Sequence, residues 1–163
     1  MSINQIQQIN NNNSNNNISN RAEAKAEAKA IAKASAEVTV TIEDLLGETE
    51  LLKEDLESEL GIQGVPEEEV ALVVKDVEAA EKALNDLETA NQNGEAPKPA
   101  ATKRLSRFLE SLTKEDSRVN KAFKMLDKGK EYAYALANGY TKLATQFDLP
   151  PLEELPEKVS QLF

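Results

Sequence analysis

The side chains that most often carry chemistry near neutral pH are missing from this sequence. None of its 163 residues is His or Cys. Without His there is no imidazole to act as a general base or a metal ligand, and without Cys there is no thiol nucleophile or thiolate zinc site. A serine or threonine nucleophile would also lack its His base. We therefore expect that the protein is not an enzyme.

Carboxylates are plentiful, but they are placed where helix surfaces are expected. Glu67–Glu69 follow Pro66 at the predicted start of a helix, where acidic residues favour the positive end of the helix dipole. Glu153 and Glu154 have no partners at ligand spacing, and the spaced Asp/Asn/Gly loop of a calcium site is absent. The six glycines are scattered and form no phosphate-binding loop. We expect neither a metal nor another cofactor.

Charge is sorted along the chain into two opposed blocks. Residues 43–95 contain 17 acidic and 3 basic side chains, a net charge of −14, whereas residues 96–147 contain 11 basic and 5 acidic ones, a net charge of +6. On a predicted helix the cations fall on one side, away from the apolar residues, at Lys114, Arg118, Lys121, Lys124 and Lys128. One interpretation is an internal match between the two blocks. The other is head-to-tail assembly, or docking of an acidic partner.

The residues predicted to bind a partner come from the basic block. They are Arg104, Arg107, Arg118, Lys121 and Lys128. Nucleic acid is not expected as a ligand, because the chain has a net charge of −10 and the basic stripe has no interleaved aromatic residues. The expected partner is a protein, either a second copy of this chain or a larger effector.

Apolar periodicity predicts helices as the elements that carry these charges. Leu52, Leu56 and Leu60 form part of one apolar stripe, and the positions from Val70 to Leu87 repeat at alternating spacings of three and four. Four helices are predicted, over residues 43–60, 66–91, 102–112 and 118–147. The predicted fold is mainly α, with two helical hairpins that form a small bundle within residues 43–152.

Residues 22–42 alternate between apolar and polar positions, with the single exception of Ile31. Alternation is the period of a β-strand, whereas the Ala, Glu and Lys residues that fill most of the segment are strong helix formers. The segment is therefore either a strand, best at Val38–Ile42, or an Ala-rich helix over residues 22–36. The chain offers no second good strand, so a strand here would pair between subunits, and self-association is predicted through Val38, Val40 and Ile42.

Three polar segments complete the predicted organisation. Residues 1–21 are expected to be a disordered leader, since nine of the first twenty residues are Asn and bury little apolar surface. A linker is predicted at 92–101 and a C-terminal tail at 153–163. The chain has neither a membrane-spanning apolar stretch nor a signal-peptide core, so we expect a cytoplasmic protein. With only 4% aromatic residues its core should be thin, which favours a homo-oligomer.

Two stretches resemble a C-terminal helical module seen mainly in cyanobacterial proteins. They are Arg104–Leu112 followed by Glu115–Ser117, and Ala133–Ala137 followed by Gly139, Tyr140, Leu143, Ala144, Gln146, Phe147, Leu149 and Pro150. In that family the module commonly follows Asn-rich or alternating segments, and it is often appended to larger signalling or defence-type proteins. The resemblance covers residues 38–152, differs at Phe147 where the family usually carries Trp, and implies an accessory role in association.

Two functions are consistent with this sequence. The leading hypothesis is a non-catalytic helical protein–protein interaction module that self-associates into an oligomer or assembly. The alternative is a monomeric regulatory adaptor that docks an acidic partner through its basic C-terminal helices.

Overall fold

The computed structural model describes residues 35–152 and 154–163, and it confirms a mainly α fold. The described residues contain no strand. Their six helices are α1 (35–62), α2 (Glu67–Gln92), α3 (Pro99–Leu112), α4 (Arg118–Met125), α5 (Gly129–Gln146) and α6 (Leu155–Leu162). From Glu37 to Phe163 the chain forms one compact unit.

The strand predicted at Val38–Ile42 is wrong, because these five residues are helical. A spacing of four residues satisfies both the strand period and the helix period, so Val38 and Ile42 fit either. Leu45, three residues further on, fits only the helical face, and all three side chains are buried in the core. The predicted leader at 1–21 and residues 22–34, most of the Ala-rich helix considered for 22–36, lie outside the described residues.

The first two helices form the predicted antiparallel hairpin. Near the start of α1, the Oγ1 atom of Thr39 accepts a hydrogen bond of 3.0 Å from Nδ2 of Asn91 at the end of α2. Further along α1, the Nζ atom of Lys53 lies 2.8 Å from Oε2 of Glu81. Later positions in α1 therefore pair with earlier positions in α2, as an antiparallel hairpin requires.

Left-handed residues end three of the helices in the same way. After α1 this residue is Gly64, with a φ of 86°, and after α2 it is Gly94, with a φ of 67°. After α5 it is Asp148, with a φ of 53°. In each case the next amide donates to a carbonyl oxygen five residues back, which satisfies a helix end (the pairs are Val65–Leu60, Glu95–Ala90 and Leu149–Ala144).

The single helix predicted over 118–147 is divided into α4 and α5. Leu126 is extended, with φ −82° and ψ 142°, and α5 begins at Gly129. A Cβ atom at Gly129 would lie 1.7 Å from the carbonyl oxygen of Phe123, so only glycine fits where the chain re-enters the helix. The apolar spacing continues across this break, which is why periodicity alone predicts one helix.

The remaining helices are longer or more ordered than the sequence predicts. Pro99 opens α3, so this helix begins within the predicted linker at 92–101. In place of the tail predicted at 153–163, α6 buries Leu155 and Val159 in the core. The largest fully buried side chain is that of Tyr140, whose hydroxyl donates a hydrogen bond of 2.6 Å to the carbonyl oxygen of Pro150.

Helices α1 and α5 approach each other closely at Gly139. A Cβ atom at this position would lie 2.3 Å from Cδ2 and 2.9 Å from Cγ of Leu45. Nearby, the Oγ1 atom of Thr41 lies 2.8 Å from Oε1 of Gln146. The absence of a side chain at Gly139 therefore sets the distance between the two helices.

We expect Gly139→Ala to lower the free energy of unfolding by about 1–3 kcal/mol, since the added methyl group overpacks against Leu45. Gly47→Ala is the matched control: it also replaces a helical glycine, but its Cβ meets nothing within 4 Å, so Ala should stabilise by about 1 kcal/mol. Urea unfolding measures both. In a Leu45→Ala background, Gly139→Ala should no longer lower the free energy of unfolding. An equally large decrease in that background would contradict the proposed contact with Leu45.

Tyr132 joins α5 to α1 by a hydrogen bond from its hydroxyl to the carboxylate of Asp55. Burial raises the pKa of Tyr132 well above its usual range, and the hydrogen bond and the negative charge of Asp55 raise this pKa further. Burial also raises the pKa of Tyr140. The folded protein therefore favours the protonated form of both phenols.

Stability should fall in alkaline solution as a result. A raised pKa in the folded state contributes stability that is complete below the unfolded pKa of about 10 and is lost as the pH rises above it. Tyr132→Phe should lower stability at neutral pH by about 1 kcal/mol, through loss of the hydrogen bond. The same substitution should also reduce the loss of stability that occurs as the pH rises from neutral to strongly alkaline. Some of this loss should remain, because Tyr140 still contributes to it. Urea midpoints measured from neutral to strongly alkaline pH test this, and parallel curves for the two proteins would refute it.

Candidate functional site

The five residues predicted to bind a partner are all exposed, but they are distributed over three places. Arg104 and Arg107 lie on α3, Arg118 and Lys121 lie on α4, and Lys128 precedes the first residue of α5. Of these, Arg118 and Lys121 border a groove. Helix α4 therefore brings two of the five predicted residues to one concave surface.

This groove, the α2–α4 groove, lies between the end of α1, the first half of α2 and α4, and has a volume of about 390 Å³. Its lining is mostly apolar, with charged residues among it: Leu60, Val65, Glu69, Leu72, Val73, Asp116, Arg118, Lys121, Ala122 and Met125. An apolar groove with a few charged groups at its border is the usual form of a surface that binds an amphipathic segment.

The start of α4 is fixed by two side chains. Ser117 is the N-cap, and its hydroxyl accepts a hydrogen bond of 3.1 Å from the backbone amide of Asn120. Asn120 is fully buried and donates a bond of 2.7 Å from Nδ2 to the carbonyl oxygen of Leu112, the last residue of α3. With the start of α4 fixed, residues 118, 121 and 125 share one side of the helix, which faces the groove.

The two cations of the groove differ in their surroundings. Arg118 binds Asp76 of α2 through two bonds, from Nε at 2.6 Å and from a terminal guanidinium nitrogen at 3.1 Å. The hydrogen bond to Asp76 and its negative charge raise the pKa of Arg118. Lys121 is exposed and forms no ion pair with another described residue. Lys121 therefore keeps its charge available to a ligand, whereas Arg118 holds α4 against α2.

Acidic and basic side chains within the described part of the chain form few ion pairs. Its ion pairs are Lys53–Glu81 within the hairpin, Arg118–Asp76 between α4 and α2, and Lys158–Glu154 within the last helix. Of these, Arg118–Asp76 alone joins the acidic hairpin to the basic block. Pairing between the acidic and basic blocks, one of the two interpretations of the sequence, therefore occurs at this one ion pair. The other cations of α4 remain exposed.

Two functional candidates in the groove were not identified from the sequence. Leu72 is 42% exposed and Met125 is 37% exposed, although both are large and apolar. Each falls outside the buried face of its own helix, which for α2 runs through Val70, Val73 and Val77. An apolar residue displaced from the apolar face of a helix is the sequence signal that could have indicated them.

The residues predicted to mediate self-association are separated by the helical conformation of α1. Val38 and Ile42 are fully buried in the core, and Val40 is 57% exposed on the opposite side. Of the three, Val40 is the one whose side chain is available at the surface.

Among the described residues, no three acidic side chains are grouped in a way that could hold a metal ion. None of the six helices, within the described residues, combines the length and the apolar character that a bilayer crossing requires. Compared with family models, curated proteins and solved structures, the chain has no match.

The Arg118–Asp76 pair is partly exposed, so we expect it to stabilise the protein only modestly. In a double-mutant cycle with Arg118→Met and Asp76→Asn, the coupling energy should be about 0.5–1 kcal/mol and should decrease at high ionic strength. Urea unfolding of the four proteins measures it. A coupling energy near zero at low ionic strength would contradict the role assigned to the pair in holding α4.

Proposed function

We propose that this protein is a non-catalytic helical interaction module that self-associates. The observation that carries the proposal is the α2–α4 groove, in which exposed apolar side chains lie beside Lys121, a cation that has no ion-pair partner among the described residues. The same chain supplies a strongly acidic surface, since residues 43–95 have 17 acidic side chains against 3 basic ones. Opposite charges on different surfaces favour association between copies.

Exposed apolar area supports the same function. Isolated apolar side chains are ordinary on a protein surface, but Leu72 and Met125 line one groove together. Burying them against a partner would remove apolar surface from water, and the neighbouring Lys121 would select an acidic partner surface. Self-association is proposed through this groove and not through a strand at Val38–Ile42, since that segment is helical.

We expect the weight-average mass to rise with protein concentration and to fall as ionic strength increases, because salt screens exposed charges. Gel filtration with light scattering, from low micromolar to millimolar protein, measures this on the full chain. Lys121→Glu should weaken association, because it reverses the free charge at the groove. Lys142→Glu is the matched control, since it makes the same change on α5 outside the groove. A mass equal to the monomer at every concentration would overturn self-association.

The second candidate is the adaptor, which is favoured by the same open groove. An acidic amphipathic segment of another protein would satisfy Lys121 and cover Leu72 and Met125 in the way proposed for a second copy. If the protein is monomeric throughout, a synthetic amphipathic helix with Glu flanking its apolar face is the probe. Its binding should be salt-sensitive and should be lost in Lys121→Glu but retained in Lys142→Glu. Equal binding to both variants would exclude the groove.

A further inference from the structure

The side of α1 that faces away from the core carries a line of exposed apolar residues. Val40, Leu51 and Ile62 are 57%, 54% and 85% exposed. They are eleven residues apart, which is slightly more than three helical turns, so they lie along one line at intervals of about 16 Å. The exposed residues on this line, which we call the α1 stripe, are Val40, Asp44, Gly47, Leu51, Glu54, Ser58 and Ile62.

Small residues separate the apolar positions of the α1 stripe. Gly47 lies between Val40 and Leu51, and beyond the backbone of its own helix nothing lies within 4 Å of where its Cβ would be. Ser58 lies between Leu51 and Ile62. Glycine and serine allow another helix to approach the backbone closely between the larger side chains. The stripe therefore alternates large and small side chains, as surfaces that pack against another helix do.

The surroundings of the α1 stripe are acidic. Asp44 and Glu54 are on the stripe, and Glu43, Glu50 and Glu57 are exposed beside it. None of these five carboxylates forms an ion pair with another described residue. Two α1 stripes would therefore bring carboxylates against carboxylates, which disfavours pairing of like with like. The stripe instead fits an apolar surface that has cations along one side.

The α2–α4 groove is such a surface. In the described part of the chain, the exposed large apolar residues divide between the α1 stripe, with three, and the groove, with Leu72 and Met125. Helix α4 contributes three exposed cations and no carboxylate, at Arg118, Lys121 and Lys124. Glu69 and Asp116 also line the groove, so the cationic part of its border is the α4 side, where Lys121 has no ion-pair partner among the described residues. The α1 stripe is acidic, so its charge is opposite to that of the α4 side of the groove.

We propose that the α1 stripe of one copy docks on the α2–α4 groove of a second copy, so that the protein assembles head to tail. The inference rests on the proposed self-association and specifies its interface. Because the two surfaces differ, the contact is heterologous, and each copy retains one free stripe and one free groove for the next copy.

Two full-length variants test the two surfaces independently. The stripe variant carries Leu51→Ser and Glu54→Lys, and the groove variant carries Lys121→Glu and Met125→Ser. All four positions are exposed, so both proteins should fold, which circular dichroism verifies. Each variant alone should associate at least about tenfold more weakly than the unchanged protein. A 1:1 mixture should form a heterodimer and grow no further, because one intact stripe and one intact groove remain between them.

Sedimentation velocity on the single proteins and on the mixture distinguishes the outcomes. Glu157→Lys on α6 is the charge control for Glu54→Lys and should assemble like the unchanged protein. If both variants assemble normally, the interface is elsewhere, and this inference fails while self-association stands. If both are monomeric and their mixture is also monomeric, the contact is not head to tail, and the inference is again overturned. If the unchanged protein is itself monomeric, the proposed function fails with it.

Discussion

The burial of one face of α1 is the constraint on which the rest of the unit depends. Val38, Ile42, Leu52, Leu56 and Leu60 are all fully buried, so the helix contributes to the core along nearly its whole described length. Helix α2 packs against it in the hairpin, and α5 approaches it where Gly139 meets Leu45. Because a helix that buries one face must expose the other, the same constraint places Val40, Leu51 and Ile62 in solvent.

The core contains few aromatic residues but is closely packed. Tyr140 and Phe123 are the largest fully buried side chains, and most of the others are Leu and Val. Close approach of helices compensates in part, since glycine replaces a side chain both at Gly129 and at Gly139.

The sequence predicts the helices well and their interruptions poorly. The hairpin follows from Leu45, Leu52 and Leu56, because the odd step of seven residues from Leu45 to Leu52 keeps one face of a helix but not of a strand. The segment from Val38 to Ile42 is ambiguous because a spacing of four fits both periods, and Leu45 settles it only when the longer stripe is considered. The break after Met125 leaves Leu126 in register with the apolar face, and a single glycine such as Gly129 is tolerated within many helices.

The charged residues of the candidate site can be predicted from the sequence, but the position of the site in the fold cannot. Arg118 and Lys121 can be selected from the sequence because they belong to a basic stripe. Their apposition with Leu72 of α2 depends on how α4 packs against the hairpin, and no local pattern encodes that contact. The pairing of Arg118 with Asp76, 42 positions earlier, is likewise visible only in three dimensions. Sequence reasoning therefore identified the charges but not the apolar surface beside them.

The contact between Thr41 and Gln146 has a consequence for the order in which the unit can be completed during synthesis. It brings a residue near the beginning of the compact unit against the end of α5, 105 positions later in the chain. A contact of such long sequence separation cannot form until α5 has been synthesised. The face of α1 that packs against α5 therefore stays uncovered while the helices between them are being made.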